Sequence, residues 1–152
     1  MRLAIASDHA GLDLKSQLYE YLLSEGHDVV DLGAESRESV DYPDYAVCLS
    51  AGIQKGEYDR GILVCGTGIG MSIVANRFKG VRAALCNHVT LARLARQHNN
   101  ANVLTLGGRM TGVDLAKEIV KIFLETDFLG GRHSGRVMKA DTLTDRTDNG
   151  SR

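Results

Sequence analysis

Residues 61–73 read Gly-Ile-Leu-Val-Cys-Gly-Thr-Gly-Ile-Gly-Met-Ser-Ile, and the reading of this stretch decides the fold. The apolar run Ile62, Leu63, Val64 has the character of a buried strand, and it ends at Cys65. Gly66, Gly68 and Gly70 follow at alternate positions, and an apolar helical pattern resumes at Ile73 and Val74. Strand, glycine turn and helix in that order point bare backbone N–H groups at an anion, with the positive end of a helix dipole behind them. Cys65 stands at the mouth of this turn, where a helix N-terminus favours a thiolate. The stretch therefore combines an acid–base group with an anion hole.

Outward from it, the same alternation repeats. On the N-terminal side, residues 3–6 form a strand ending at Ser7-Asp8-His9, and Leu14, Leu18 and Leu22 mark a helix over about 12–25 with Gly26 placed to end it. A second strand covers 29–33, and a polar loop 35–41 leads to Asp41-Tyr42-Pro43, a helix start with the chain's single proline near the first position. That helix runs to about Lys55. On the C-terminal side, the spacing predicts a helix over about 70–78, a strand over 81–86 and a helix over about 90–99 with Leu91, Leu94, Ala95 and His98 on one face. A fifth strand covers 103–106. Thr111 to Asp114 resembles a capping box, and Val113, Ala116, Val120 and Phe123 line the last long helix.

Strands that are continuous apolar runs, alternating with helices, predict an α/β fold whose parallel sheet is covered on both faces. Sites in such sheets form beyond the carboxyl ends of the strands. Those ends carry Asp8 and His9, Cys65 to Thr67, Asn87 and His88, and Gly107-Gly108-Arg109. Further on, Arg132 and Arg136 lie four apart among glycines, so one helical turn would aim both at one anion. The expected organisation is one domain over 1–139 and a polar, frayed tail over 140–152.

The 152 residues are 43% hydrophobic and 24% charged, with a formal net charge of -1, so nothing global calls for nucleic acid or a membrane surface as partner. Three isolated cysteines make no disulfide framework and suit a reducing, cytoplasmic setting. No apolar run approaches the length of a membrane span or a signal segment. The histidines and cysteines show no paired metal-ligand spacing.

The glycine turn fails as a dinucleotide site: its spacing is G-x-G-x-G, and no acidic residue ends the following strand. It fails as a P-loop, because no Lys-Ser/Thr follows. A cysteine-dependent phosphatase would need an arginine about six residues after Cys65, where Met71 stands. What remains is a non-covalent anion hole beside a proton-transfer group. Cys48 and Cys86 read as small buried hydrophobes. Asp8 and His9 either cap the next helix or serve the site, and His98 is either a core residue or part of a polar pocket with Asn99 and Asn100.

Taken together, S-D-H-A-G at 7–11, D-Y-P at 41–43, C-G-T-G-I-G at 65–70, A-N at 75–76, R-Q-H-N at 96–99, G-G-R at 107–109 and G-G-R-H at 130–133 with Arg136 resemble the type B ribose-5-phosphate isomerases and their galactose- and allose-phosphate relatives. The resemblance implies an α/β/α sandwich on a five-stranded parallel sheet, Rossmann-like, and an aldose–ketose isomerase that needs no metal or cofactor. It implies Cys65 as the base moving a proton between C1 and C2, since the glutamate used by another branch is Met71 here. It implies His98 as the ring-opening residue, Asp8 as a partner of the sugar hydroxyls, and Thr67 with the backbone of Gly66, Gly68 and Gly70 as the enediolate cradle. Asn99 is implied on the sugar, and His9, Arg109, Arg132 and Arg136 on the phosphate. It also implies homodimers with active sites shared across the interface, pairing into tetramers in some members.

Overall fold

A computed structural model describes residues 1–143. Five strands, β1 (Arg2–Ser7), β2 (Asp28–Asp31), β3 (Arg60–Cys65), β4 (Ala83–Leu85) and β5 (Val103–Gly107), form one parallel sheet in the order β2-β1-β3-β5-β4. Among the described residues six helices accompany them: α1 (Leu12–Ser24), α2 (Tyr42–Gln54), α3 (Ile69–Ala75), α4 (Val89–Asn99), α5 (Val113–Glu125) and α6 (Arg132–Asp141). The expected sandwich is present. Leu14, Leu18 and Leu22 of α1, Ala92 and Ala95 of α4, and Ala116, Ile119, Val120 and Phe123 of α5 pack on one sheet face. Ala46, Leu49 and Ile53 of α2 and Met71 and Ala75 of α3 pack on the other. Alternate residues of β1 supply the two clusters, Leu3 and Ile5 to one and Ala4 and Ala6 to the other, as a period of two requires. No helix among the described residues is long and apolar enough to cross a membrane.

Several local expectations are corrected. β4 is an edge strand of three part-exposed residues, not a six-residue buried run. Asn76, just past α3, closes its outer edge: the side chain donates to the Ala83 carbonyl and accepts from the Ala83 amide, both at 2.9 Å. α3 accordingly ends at Ala75 and does not reach 78. The buried face of α4 is Ala92, Ala95 and Arg96; of the expected stripe Ala95 is buried, Leu94 and His98 are half-buried and Leu91 is 46% exposed. Thr111 and Asp114 form no capping box, since the cap of α5 is Gly112 without a side-chain bond. Cys48 is exposed on α2, whereas Cys86 is buried as expected.

The segment after Gly130 is a ten-residue helix that runs past the boundary expected at 139. The tail expected over 140–152 falls outside the described residues from 144 onward.

Candidate active site

Cys65 is the last residue of β3 and lies level with Gly107, the last of β5. Its carbonyl accepts from Gly108 N–H at 2.7 Å, and the Gly66 carbonyl accepts from Arg109 N–H at 3.1 Å, so the 107–109 turn is bonded to the turn that follows the cysteine. Cys65 is 5% exposed, and its sulfur accepts from the Gly68 amide at 3.1 Å. A backbone N–H thus already points at Sγ. Gly68 is left-handed, with φ 79°, and an added Cβ would collide with Leu85 and with the Leu106 backbone, so glycine is required there. The exposed Thr67 hydroxyl accepts from the Ile69 amide at 3.3 Å.

Gly66 is different, because a Cβ there would stand 3.7 Å from both Cδ and Nη1 of Arg109. That places the guanidinium directly over the turn. Gly70 lies within α3 beneath the Tyr42 ring. Asp8, 7% exposed, sits at the end of β1 next to this turn, its amide donating to the Val64 carbonyl at 3.2 Å. Its Oδ1 accepts from the Gly11 amide at 2.9 Å, closing the turn before α1 without capping that helix. His9 is half-buried, and its Nδ1 accepts from the Val40 amide at 3.2 Å. Asp8, His9, Cys65, Gly66, Thr67, Gly68, Gly70 and Arg109 therefore gather at the carboxyl edge of the sheet.

His98, Asn99, Arg132 and Arg136 do not join them. α4 starts beyond the end of β4 and runs back, and its last turn reaches the opposite edge, where Arg82 donates to the Asn100 carbonyl and the Asn102 side chain accepts from the Arg82 amide. The length of β5, five residues at about 3.3 Å each, separates the two edges by roughly 16 Å. At this second edge the His98 and His133 rings stack with centroids 4.4 Å apart and planes 10° from parallel. α6 extends from that stack to an ion pair between Asp141 and Arg82 at 3.0 Å. Asn99 and Arg136 line one cavity of about 270 Å³ with Asn76, Arg82 and Val137.

This second group is strongly cationic. His133 titrates below its ordinary value, because burial and then His98, Arg132 and Arg136 all oppose its protonation. Two cationic arginines in such surroundings suit an anion. The described residues thus hold two candidate half-sites: a cysteine in an amide nest with one arginine, and a histidine pair with two arginines. Among the described residues no cluster of three or more His, Cys, Asp and Glu side chains could hold a metal ion.

Three supporting residues were given no role in the sequence reading, although Arg96 and Asn76 stand within motifs quoted there. Arg96, 5% exposed, donates to the Thr126 and Ala101 carbonyls and to Asn100 Oδ1, fixing the turn that carries His98 and Asn99. Burial, with Arg60 and Arg82 nearby, lowers its pKa to about 10. Lys15 is 2% exposed and paired with Asp31. Its position three residues before Leu18 and seven before Leu22, on the core face of a helix, was the available signal. Asn76 was part of the quoted A-N pair at 75–76, which says nothing of its bond to the β4 edge.

A family model described as Ribose/Galactose Isomerase matches residues 3–140. The ribose-5-phosphate isomerase B of Escherichia coli strain K12 is 43% identical over 145 residues, 95% of this chain and 97% of that protein. The D-erythrulose-4-phosphate isomerase of Pectobacterium atrosepticum is 44% identical over 91% of this chain and 92% of its own length. The solved structure of ribose-5-phosphate isomerase B from Clostridium thermocellum aligns with a TM-score of 0.95 at 45% identity, covering 97% of this chain and 99% of that one.

Proposed function

We propose that this chain, which belongs to the ribose/galactose isomerase family, interconverts D-ribose 5-phosphate and D-ribulose 5-phosphate by proton transfer through a cis-enediolate. The observation that carries the reading is the Gly68 amide aimed at Cys65 Sγ within a glycine turn overhung by Arg109. The thiolate takes the proton from C2 of the open-chain aldose. The C–H electron pair becomes the C1–C2 double bond, and charge develops on O1. The hydroxyl proton passes from O2 to O1, and the sulfur returns its proton to C1. Thr67 and the Gly66–Gly70 backbone hold the developing oxyanion, where a single well-placed donor is worth about 10²–10³ in rate. Arg109 and His9 grip the phosphate away from the reacting carbons, and Asp8 orients the sugar hydroxyls.

Ring opening, and the rest of the phosphate grip, come in this reading from His98, Asn99, Arg132 and Arg136 of a second copy. The roughly 16 Å between the two edges of one chain supports a homodimer whose sites are composite. A cytoplasmic setting accords with the unpaired cysteines.

The test is exchange of substrate hydrogen with solvent. In D₂O the protein should wash deuterium into C1 of ribulose 5-phosphate, and Cys65→Ala should abolish that exchange while ribose 5-phosphate still binds. Exchange by Cys65→Ala at the wild-type rate removes the sulfur from the mechanism. A second reading, the same chemistry on a four-carbon sugar phosphate, is supported by the Pectobacterium relative. Comparison of kcat/KM on ribose 5-phosphate and erythrulose 4-phosphate decides between them.

A further inference from the structure

Lys15 is a buried cation with no place in the proton-transfer chemistry above, yet three acceptors converge on it. Its Nζ donates to Asp31 Oδ1 at 2.8 Å, Asp31 Oδ2 at 2.7 Å and the Ala34 carbonyl at 2.8 Å. The same Asp31 Oδ1 accepts from the Gly33 amide at 2.9 Å. The 33–34 turn is tied in turn to the end of β1, with Ser7 N–H donating to Gly33 O at 2.6 Å and Ala34 N–H to Ser7 O at 2.8 Å. Beyond it, a surface cavity of about 460 Å³ lies against Ala34, Ser36, Val40 and Tyr45. The loop touches the body of the protein at Arg37, whose exposed guanidinium donates to Asp13 Oδ1 at 2.9 Å, and again at Val40, whose amide donates to His9 Nδ1 at 3.2 Å.

An amide N–H can donate to Nδ1 only where that nitrogen carries a lone pair. In the neutral ring the proton must then sit on Nε2. We propose that Lys15 and the Val40 amide are positioning residues for His9: the anchored 33–40 loop locks the imidazole as the Nε2–H tautomer, so that Nε2–H is the donor offered to the sugar phosphate. This rests on the reading of His9 as a substrate contact. A bound phosphate oxygen has no proton to give, so a ring that presents a bare Nε2 would repel it, and a tautomer mixture would bind with only its competent fraction.

The experiment is long-range ¹H–¹⁵N NMR of protein carrying ¹⁵N-labelled histidine, read with steady-state kinetics. Wild-type His9 should show the Nε2–H pattern, and so should Val40→Ala, which keeps the amide. Val40→Pro, which has no N–H, should mix the tautomers and raise KM for ribose 5-phosphate about two- to tenfold with a smaller change in kcat. Lys15→Met should mix them as well, by loosening the loop at its other end. Wild-type His9 protonated on Nδ1 overturns the proposal, as does Val40→Pro with an unmixed tautomer and an unchanged KM. An unchanged KM in His9→Ala would instead remove His9 from the substrate, a failure of the underlying reading that the NMR pattern distinguishes.

Discussion

Cys86 is 1% exposed, and burial pushes its thiol up to about 11, so at neutral pH it is protonated and out of reach. Cys48 is exposed, and Cys65 lies 5% exposed beneath an amide donor. Alkylation should sort the three. Iodoacetamide should modify Cys48 without loss of activity, and modify Cys65 with loss of activity that ribose 5-phosphate prevents. Cys86 should react only after unfolding, and peptide mass mapping of the labelled sites checks each outcome. Arg96 is the residue-scale counterpart on the other half-site. Its guanidinium satisfies two backbone carbonyls and Asn100 Oδ1, and it lies over the Phe123 ring at 5.8 Å. Arg96→Met would leave those acceptors unpaired, the Ala101 carbonyl buried and the other two part-buried. A loss of about 2–4 kcal/mol is expected in urea unfolding, and kcat/KM should fall in the fraction that folds, because His98 and Asn99 share the turn.

At the scale of elements, helices with an apolar stripe were legible in extent and face, whereas α4 was legible in extent but not in face. α1 and α5 were readable from their leucine, valine and phenylalanine spacing, and α2 from Pro43 near its start. The face of α4 was misread because Arg96 is buried by its hydrogen bonds, which hydropathy cannot register, and that turns Leu91 outward. α6 has no apolar stripe to read; its ends are fixed by the His98–His133 stack and the Arg82–Asp141 pair, both tertiary contacts. For the candidate site the residue types were legible, but their division between two sheet edges was not, since it depends on the direction α4 takes.

The stack gives α6 a pH signature. The folded state depresses the titration of His133, through burial first and then His98, Arg132 and Arg136. Stability from a depressed histidine is fully present above the unfolded value of about 6.5 and is lost as pH falls through the folded one. The wild type should therefore lose more Tm between pH 7.5 and 5.5 than His133→Phe, which keeps a ring on His98 without a proton to gain. Equal slopes in the two scans would remove the stack as the source.

For the whole molecule, the proposed joint action of Cys65 and His98, which the depth of the sheet separates, makes a definite demand on assembly. Exposed apolar side chains beside the cysteine half-site, Ile69 at 52%, Ile73 at 55% and Met110 at 72%, are the surface a second copy would cover. In a two-fold dimer each site would then draw Cys65 from one chain and His98 from the other. Cys65→Ala and His98→Ala should each be nearly inactive alone. When the two are unfolded together and refolded at equal concentration, random pairing makes half of the dimers mixed. Every mixed dimer contains one site built from two intact contributions and one lacking both. Conversion of ribose 5-phosphate should recover to about a quarter of the wild-type rate. Were each site complete within one chain, every chain in the mixture would still lack a residue, and the rate would not rise above the average of the two parents.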